Sequence, residues 1–263
     1  MIAGTAHPQL NVYKLDKRVM AFSSTRKGGI SKNNYGEFNI NPYCGDSMEA
    51  VASNRSALCD MLGVDDEHLV LPHQTHGTEI RKLDGDYFSL TAKGRQDFLY
   101  GVDALMTDMP QLCIGVSTAD CIPILLYDPE HNACCAVHAG WRGTVARIVV
   151  KAVARMKEVW GTSAETLQAI VGPGISLKNF EVGDEVYNEF VDAGFDMSVI
   201  AERRSKWHID LPHCNELQLM TAGLKASNIQ NTGICTYDSV DLYFSARRLG
   251  IQSGRIFSGI MIL

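Results

Sequence analysis

The sequence predicts one α/β domain, a mixed α+β arrangement spanning residues 1–263, with mixed β-sheets flanked by helices. Three observations point there. Strand-like and helix-like stretches are interleaved without the strict alternation of a βαβ series. The 263 residues are 46% hydrophobic and 21% charged, an ordinary globular composition with length enough for a sizeable core. No internal repeat, low-complexity tract or linker divides the chain.

The elements follow in order. A short apolar segment within residues 10–22 leads into strand-like Met20-Ala21-Phe22-Ser23-Ser24, closed by the glycine turn Thr25-Arg26-Lys27-Gly28-Gly29-Ile30-Ser31. Residues 38–42 read as a second short strand ending at Pro42. From Ser47 the apolar period becomes helical and runs to Leu62, with Gly63 as the stop. Residues 69–72 are a short strand leading into His73-Gln74-Thr75-His76-Gly77, and residues 80–83 continue as strand. Residues 84–101, with Gly85, Gly94 and Gly101, read as weakly structured loop. Strands at 102–106 and 113–116 frame the turn Asp108-Met109-Pro110. After Gly143 comes the clearest helix. Val145, Ile148, Val149, Ala152, Val153, Met156, Val159 and Trp160 form one apolar stripe, and Gly161 is the C-terminal stop. Residues 167–171 are a strand, 184–193 a helix, 207–211 a strand, 214–224 a helix, and 234–236 and 256–263 strands.

Between them lies the stretch expected to organise the molecule, from Thr118 to Gly143. Two apolar strands flank the turn residues Asp128-Pro129-Glu130-His131-Asn132. Folding about Pro129-Glu130 places Cys121 opposite His138. Directly opposed residues of an antiparallel pair share a face with Cβ atoms about 4.5–5.5 Å apart. A one-residue slip would separate them.

Bulk properties exclude several classes. The net charge of −6 argues against a nucleic-acid surface. No run approaches ~18 apolar residues, so no membrane helix is expected. Residues 1–8 lack a charged start followed by an apolar core, so no export signal is expected. The eight cysteines contain no CxxC, and reduced thiols in the cytoplasm are expected. The vicinal pair Cys134-Cys135 reads as core packing. Oligomeric state is not legible, and a monomer is the working expectation.

His76, Cys121 and His138 are the strongest chemical constellation. Two imidazoles and a thiolate suit a catalytic zinc that keeps its fourth position open for water or substrate. A core cysteine beside a packed histidine, and a metal-free Cys–His nucleophile, are the competing readings. His73 competes with His76. In an extended segment the two face opposite ways, and Gly77 favours His76. For an anion, Arg142 within Gly140-Trp141-Arg142-Gly143 precedes a helix start, and Arg55 and Arg26 are further candidates. Gly172-Pro173-Gly174 fails the dinucleotide spacing, because Leu177 stands where a glycine is required. Arg247-Arg248 reads as a surface pair.

Taken with Thr118-Ala119-Asp120-Cys121 and Val137-His138-Ala139-Gly140-Trp141-Arg142-Gly143, the chain resembles the purine nucleoside phosphorylase family once labelled multicopper polyphenol oxidase or laccase-domain proteins, some of whose bacterial members are called peptidoglycan editing factors. Gly45-Asp46, Asn54-Arg55, Gly172-Pro173, Glu181-Val182-Gly183 and Phe244-Ser245-Ala246-Arg247-Arg248 fall in family order. Ala246 stands where many members carry an aromatic residue, and Lys178-Asn179 where some carry cysteines. The resemblance implies zinc at His76, Cys121 and His138, which would be the catalytic centre. It implies an α/β/β/α layering, phosphorolysis of adenosine, inosine and methylthioadenosine, and adenosine deamination, with Arg55 binding substrate or phosphate. The eight histidines include no His-x-His pair, which argues against a multicopper centre. The expected function is therefore a zinc-dependent purine nucleoside phosphorylase with adenosine deaminase activity. Its partners would be a purine nucleoside and phosphate, with Arg55 and Arg142 binding substrate. A metal-free Cys–His hydrolase and a non-enzymatic binding protein are the rivals.

Overall fold

Two strands with unbroken apolar runs, Ile122–Asp128 and Ala133–Ala139, are buried along their whole length. Strands covered on both faces require a layer on each side. The computed structural model describes residues 6–263, so the expectation about an export signal falls partly on residues 1–5, outside the described residues. The hairpin is the centre of a six-stranded mixed sheet in the order Ile229–Asn231, Gln168–Val171, Ile122–Asp128, Ala133–Ala139, Val102–Thr107, Glu79–Lys82. A five-stranded sheet runs Leu10–Tyr13, Val19–Ser24, Ile256–Ile262, Cys113–Thr118, Leu69–Val70. A small sheet joins Glu181–Val182, Trp207–Ile209 and Ala201–Arg203.

The period-2 alternation of the hairpin sorts its side chains into two cores. Leu125, Tyr127, Cys134 and Ala136 pack against Ile114, Val116 and Ile260 between the two large sheets. Ile124, Leu126, Cys135 and Val137 face Val149, Val153 and Met156 of the helix Ile148–Trp160. Beyond the other sheet, Leu58 and Leu62 of the helix Met48–Leu62 cover Phe22, Phe257 and Met261. The layers are thus helix, sheet, sheet, helix. Among the described residues no helix is long and apolar enough to cross a membrane.

Several local expectations are corrected. Pro123 pairs with His138 and Ile122 with Ala139, so the hairpin register lies two residues from the one expected. The turn is longer because the Asp128 carboxylate accepts the backbone N–H groups of Glu130 and His131, and Asn132 adopts φ 49°. A two-residue shift preserves the face, so Cys121 and His138 remain diagonal neighbours. The strands Val102–Thr107 and Cys113–Thr118 do not form one hairpin; they belong to different sheets. Gln111 hooks its N–H onto the Ile262 carbonyl at the crossing.

Residues 84–101 hold two helices, Gly85–Ser89 and Ala92–Leu99, capped by Asp84 and Thr91. Glycines 85 and 94 weaken the helical signal there, while the caps supply it. Residues 38–42 form no strand. Asn39 Oδ1 accepts the Asn41 N–H and Asn41 Oδ1 accepts the Tyr43 N–H, which replaces a ladder with side-chain bonds. Residues 234–236 contribute one isolated bridge, Cys235 to Gly174, and the strand lies earlier, at Ile229–Asn231. The expected helix after Gly143 is split. A short helix, Trp141–Val145, precedes a left-handed Arg147 (φ 59°), and the long helix begins at Ile148. The helix Leu211–Thr221 clamps the break, with Asn215 bonded to the Thr144 hydroxyl and Gln218 to its carbonyl.

Candidate metal centre and its cavity

The ligating atoms of His76, Cys121 and His138 all lie within 4.8 Å of one another. They come from three different local structures. His138 is the penultimate residue of a buried strand and is 3% exposed. Cys121 sits one residue before the start of the opposing strand, after Asp120, which is held at φ 85°. His76 lies in a loop, also left-handed at φ 64°. Backbone strain of this kind persists only where its surroundings over-determine it.

Asp103 is what over-determines the His76 loop. It is fully buried and lies on the neighbouring strand Val102–Thr107, one residue beyond the Ala104–Val137 pair and so beside His138. Its Oδ1 lies 2.7 Å from His138 Nδ1 and accepts the His76 N–H at 3.0 Å. Its Oδ2 accepts the N–H groups of Thr75 at 3.3 Å and Gly77 at 2.7 Å. One carboxylate therefore fixes the ring of one candidate ligand and the backbone of another, and it leaves His138 Nε2 to face the cluster. Sequence reasoning missed Asp103. The available signal was an acid inside the otherwise uncharged run 102–107.

The electrostatics favour a thiolate. Burial alone would raise the Cys121 thiol. The charge of His138, with hydrogen bonds from His138 and His76, outweighs it and brings the thiol down to about 6. Burial would likewise lower His138, but the Cys121 thiolate and the Asp103 bond raise it to about 9. Asp103 is held below its ordinary value, because the His138 bond and charge and the Gly77 and Thr75 N–H groups outweigh burial. Two imidazoles and a low-lying thiol are the donor set of a three-ligand metal site. Among the described residues it is the one such cluster.

Gly140 completes the cradle. A Cβ there would stand 3.0 Å from Cys121 Sγ and 3.1 Å from His76 Cδ2. The Gly140→Ala variant is expected to keep its fold but to bind metal about tenfold more weakly, since ligand positions matter at the ~0.5 Å level. Competition with a chromophoric chelator measures this.

The cluster opens into a cavity of ≈ 690 Å³. Trp141, Ile175 and Phe180 form apolar lining, and Arg247 and Arg255 also line it. His73 lines the same cavity, contrary to the expectation of opposite faces, because residues 73–76 are not one extended strand. His73 instead stacks on Tyr43, with ring centres 4.2 Å apart.

The expected arginines are not brought to the cluster. Arg55 gives Nε to Asp66 Oδ1 at 2.9 Å and Nη2 to the carbonyls of Asp66 and Leu69, outside the cavity lining. Its guanidinium is occupied in tying the helix Met48–Leu62 to the following turn. Arg142 is exposed and lies over the Trp141 ring, 4.1 Å from its centre. Arg26 is bonded to the carbonyls of Gly36 and Val240. Arg247, expected as a surface residue, is exposed and also lines the cavity.

Comparison with known proteins follows the same lines. Residues 20–263 match the family described as multi-copper polyphenol oxidoreductase laccase. A protein of Bacteroides thetaiotaomicron named purine nucleoside phosphorylase is 48% identical over 244 residues, 92% of this chain and 90% of that one. A protein from an unknown prokaryotic organism, named adenosine deaminase, is 41% identical over 255 residues, 96% and 97% of the two chains. Among solved structures, the hypothetical protein YfiH of Bacillus licheniformis superimposes with TM-score 0.90 at 27% identity, covering 98% of this chain and 97% of its own. YlmD of Geobacillus stearothermophilus gives 0.86 at 29% identity, covering 94% and 92%.

Proposed function

The chain belongs to the multi-copper polyphenol oxidoreductase laccase family, and from that membership we propose that it is a zinc-dependent purine nucleoside phosphorylase with adenosine deamination as a second reaction. The observation that carries this reading is the convergence of His76, Cys121 and His138 at a cavity large enough for a nucleoside. The relatives named for phosphorolysis and for deamination, at 48% and 41% identity, supply the reaction classes.

His76, Cys121 and His138 would hold the metal, with Asp103 orienting the His138 ring and the His76 backbone. When bound, zinc supplies a Lewis acid with a coordination position left for a non-protein group. A two-histidine, one-cysteine donor set suits zinc, which needs no redox chemistry, and offers too few imidazoles for a multicopper centre. In phosphorolysis a phosphate oxygen bonds to ribose C1′ as the C1′–N9 bond breaks. The electron pair leaves with the purine, which takes up a proton, and ribose 1-phosphate forms. In deamination water adds at purine C6 and ammonia departs. The apolar walls at Trp141, Ile175 and Phe180 suit a purine ring.

The test joins metal analysis to an inosine assay with and without phosphate. About one zinc per chain and phosphate-dependent release of hypoxanthine are expected. Activity that survives chelation and is destroyed by iodoacetamide would instead indicate a metal-free Cys121–His138 nucleophile. No turnover of any purine nucleoside by the zinc-loaded protein would reject the enzymatic reading.

A further inference from the structure

Positive charge in the cavity is gathered on one segment of the lining. Asp120 is the one carboxylate among the lining residues, and both of its oxygens are occupied. Oδ1 accepts the Thr236 hydroxyl and Oδ2 the Arg247 backbone N–H, each at 2.7 Å. Arg247 and Arg255 remain, and their guanidinium groups are bonded to main-chain carbonyls and the Ser253 side chain rather than to carboxylates. Arg247 gives Nη1 to the Glu181 carbonyl at 2.9 Å and lies 5.6 Å from the Phe180 ring centre. Among the described residues its Nε and Nη2 meet no acceptor. Arg255 gives Nη1 to the Ser253 carbonyl at 2.5 Å and the Gly254 carbonyl at 3.0 Å and Nη2 to the Ile251 carbonyl at 3.0 Å, and its Nε is free of protein partners among the described residues. Neither charge is neutralised by an ion pair among the described residues.

An independent observation comes from the adjoining strand end. Thr118 pairs with Ile256, the residue after Arg255, and lines the cavity. It is 1% exposed, yet its hydroxyl has no hydrogen-bond partner. Buried polar groups are nearly always paired, and an orphan beside a cavity signals a ligand or water that completes it. Guanidinium groups without ion pairs and an unpartnered hydroxyl that line one cavity match the charge and the acceptor oxygens of a tetrahedral oxyanion.

We infer that Arg247, Arg255 and the Thr118 hydroxyl form an oxyanion subsite that takes inorganic phosphate. This rests on the phosphorolysis reading and names the residues that select its second substrate. The subsite is coupled to the metal cluster through one residue: Asp120 is bonded to the Arg247 main chain and directly precedes Cys121. The same bond helps hold Asp120 at its left-handed φ, so binding the anion and aiming the thiol share one anchor. Arg55 and Arg142, the arginines the sequence suggested, are replaced in this role by Arg247, which the sequence read as surface, and Arg255, which it did not single out.

The experiment uses the zinc-loaded full chain. The Kd of inorganic phosphate is measured by ³¹P NMR titration, and the KM values of phosphate and inosine by hypoxanthine release. Arg247→Gln and Arg255→Gln are each expected to raise the phosphate Kd and KM by roughly 10- to 100-fold, the range of a lost charged hydrogen bond. The rise in phosphate Kd and KM should exceed any change in the inosine KM of the same variants by at least about tenfold. Arg155→Ala, an exposed change on the long helix, serves as the control. Zinc content and melting temperature verify folding. If a glutamine variant fails to fold, Arg247→Lys, which keeps the charge but loses the fork, should give an intermediate phosphate KM. Unchanged phosphate affinity in these variants, with wild-type turnover still phosphate-dependent, would overturn the subsite and leave phosphorolysis standing. A wild-type protein that neither binds nor requires phosphate would overturn both. Weak phosphate binding beside tight, Arg247-dependent binding of inosine 5′-monophosphate would overturn the assignment to the free anion.

Discussion

Replacing Cys121 by alanine is expected to abolish stoichiometric metal binding and to lower purine nucleoside turnover by at least about 1,000-fold, while the protein stays folded. Cys121 lies outside the two large apolar cores, so its removal costs little packing. It does remove one of three donors in a site that has no spare, since His73 is stacked on Tyr43. Metal analysis and the inosine assay read this directly. The wild-type thiol provides a second readout. In the metal-free protein its value of about 6 makes the thiolate dominant at neutral pH, whereas an ordinary cysteine is still mostly protonated there. Modification of Cys121 by iodoacetamide should therefore begin near pH 6 and be blocked by zinc. Peptide mass spectrometry against pH would show it. A midpoint near that of an ordinary thiol would reject the electrostatic account of the site.

The second large effect is expected at Asp103, which touches no substrate. Asp103→Ala leaves the N–H groups of Thr75, His76 and Gly77 and the Nδ1 of His138 without their shared acceptor. Breaking a buried, hydrogen-bonded pair from one side typically costs about 3–5 kcal/mol. Metal affinity should fall by roughly 10- to 100-fold, as for other groups that orient ligands from behind. Urea unfolding of the metal-free protein gives the first quantity and chelator competition the second. Asp103→Asn separates them. It preserves shape and one acceptor for His138, but it sets an amide against the loop N–H groups. Its stability loss should be smaller than that of the alanine variant, with metal affinity still reduced. Equal metal affinity in Asp103→Asn and wild type would remove Asp103 from the site.

Much of the scaffold is legible in the residues because it is governed by local patterns. The helix Met48–Leu62 carries its own Ser47 cap and Gly63 stop, and the helix Ile148–Trp160 carries an apolar stripe closed by Gly161. The central hairpin announces itself by two apolar runs about a turn, and its pairing arithmetic errs by an even number of residues. That is why Cys121 and His138 remain on one face although their direct partners change. Where polar side chains take over the backbone's hydrogen bonds, as at Asn39 and Asn41, the strand signal misleads. Residues 84–101 mislead in the other direction, because two glycines mask helices that Asp84 and Thr91 cap.

The site divides along the same line. The three candidate ligands are recognisable from residue type, neighbouring turn residues and the resemblance. The groups that hold or serve them are not, because their roles depend on contacts between segments far apart in sequence. Asp103 acts across a strand pair and into a loop, Asp120 reaches Arg247 and Thr236, and Arg55 is taken up by Asp66. The sequence by itself determined the mixed α/β class and the hairpin, since periodicity and caps are local properties, and it put forward His76, Cys121 and His138 as candidate donors that the family resemblance singled out. Only the tertiary structure decided which charges remain uncompensated at the cavity. Arg55 is paired with Asp66, whereas Arg247 reaches only the carbonyl of the distant Glu181, and no local pattern records which segment packs beside a guanidinium.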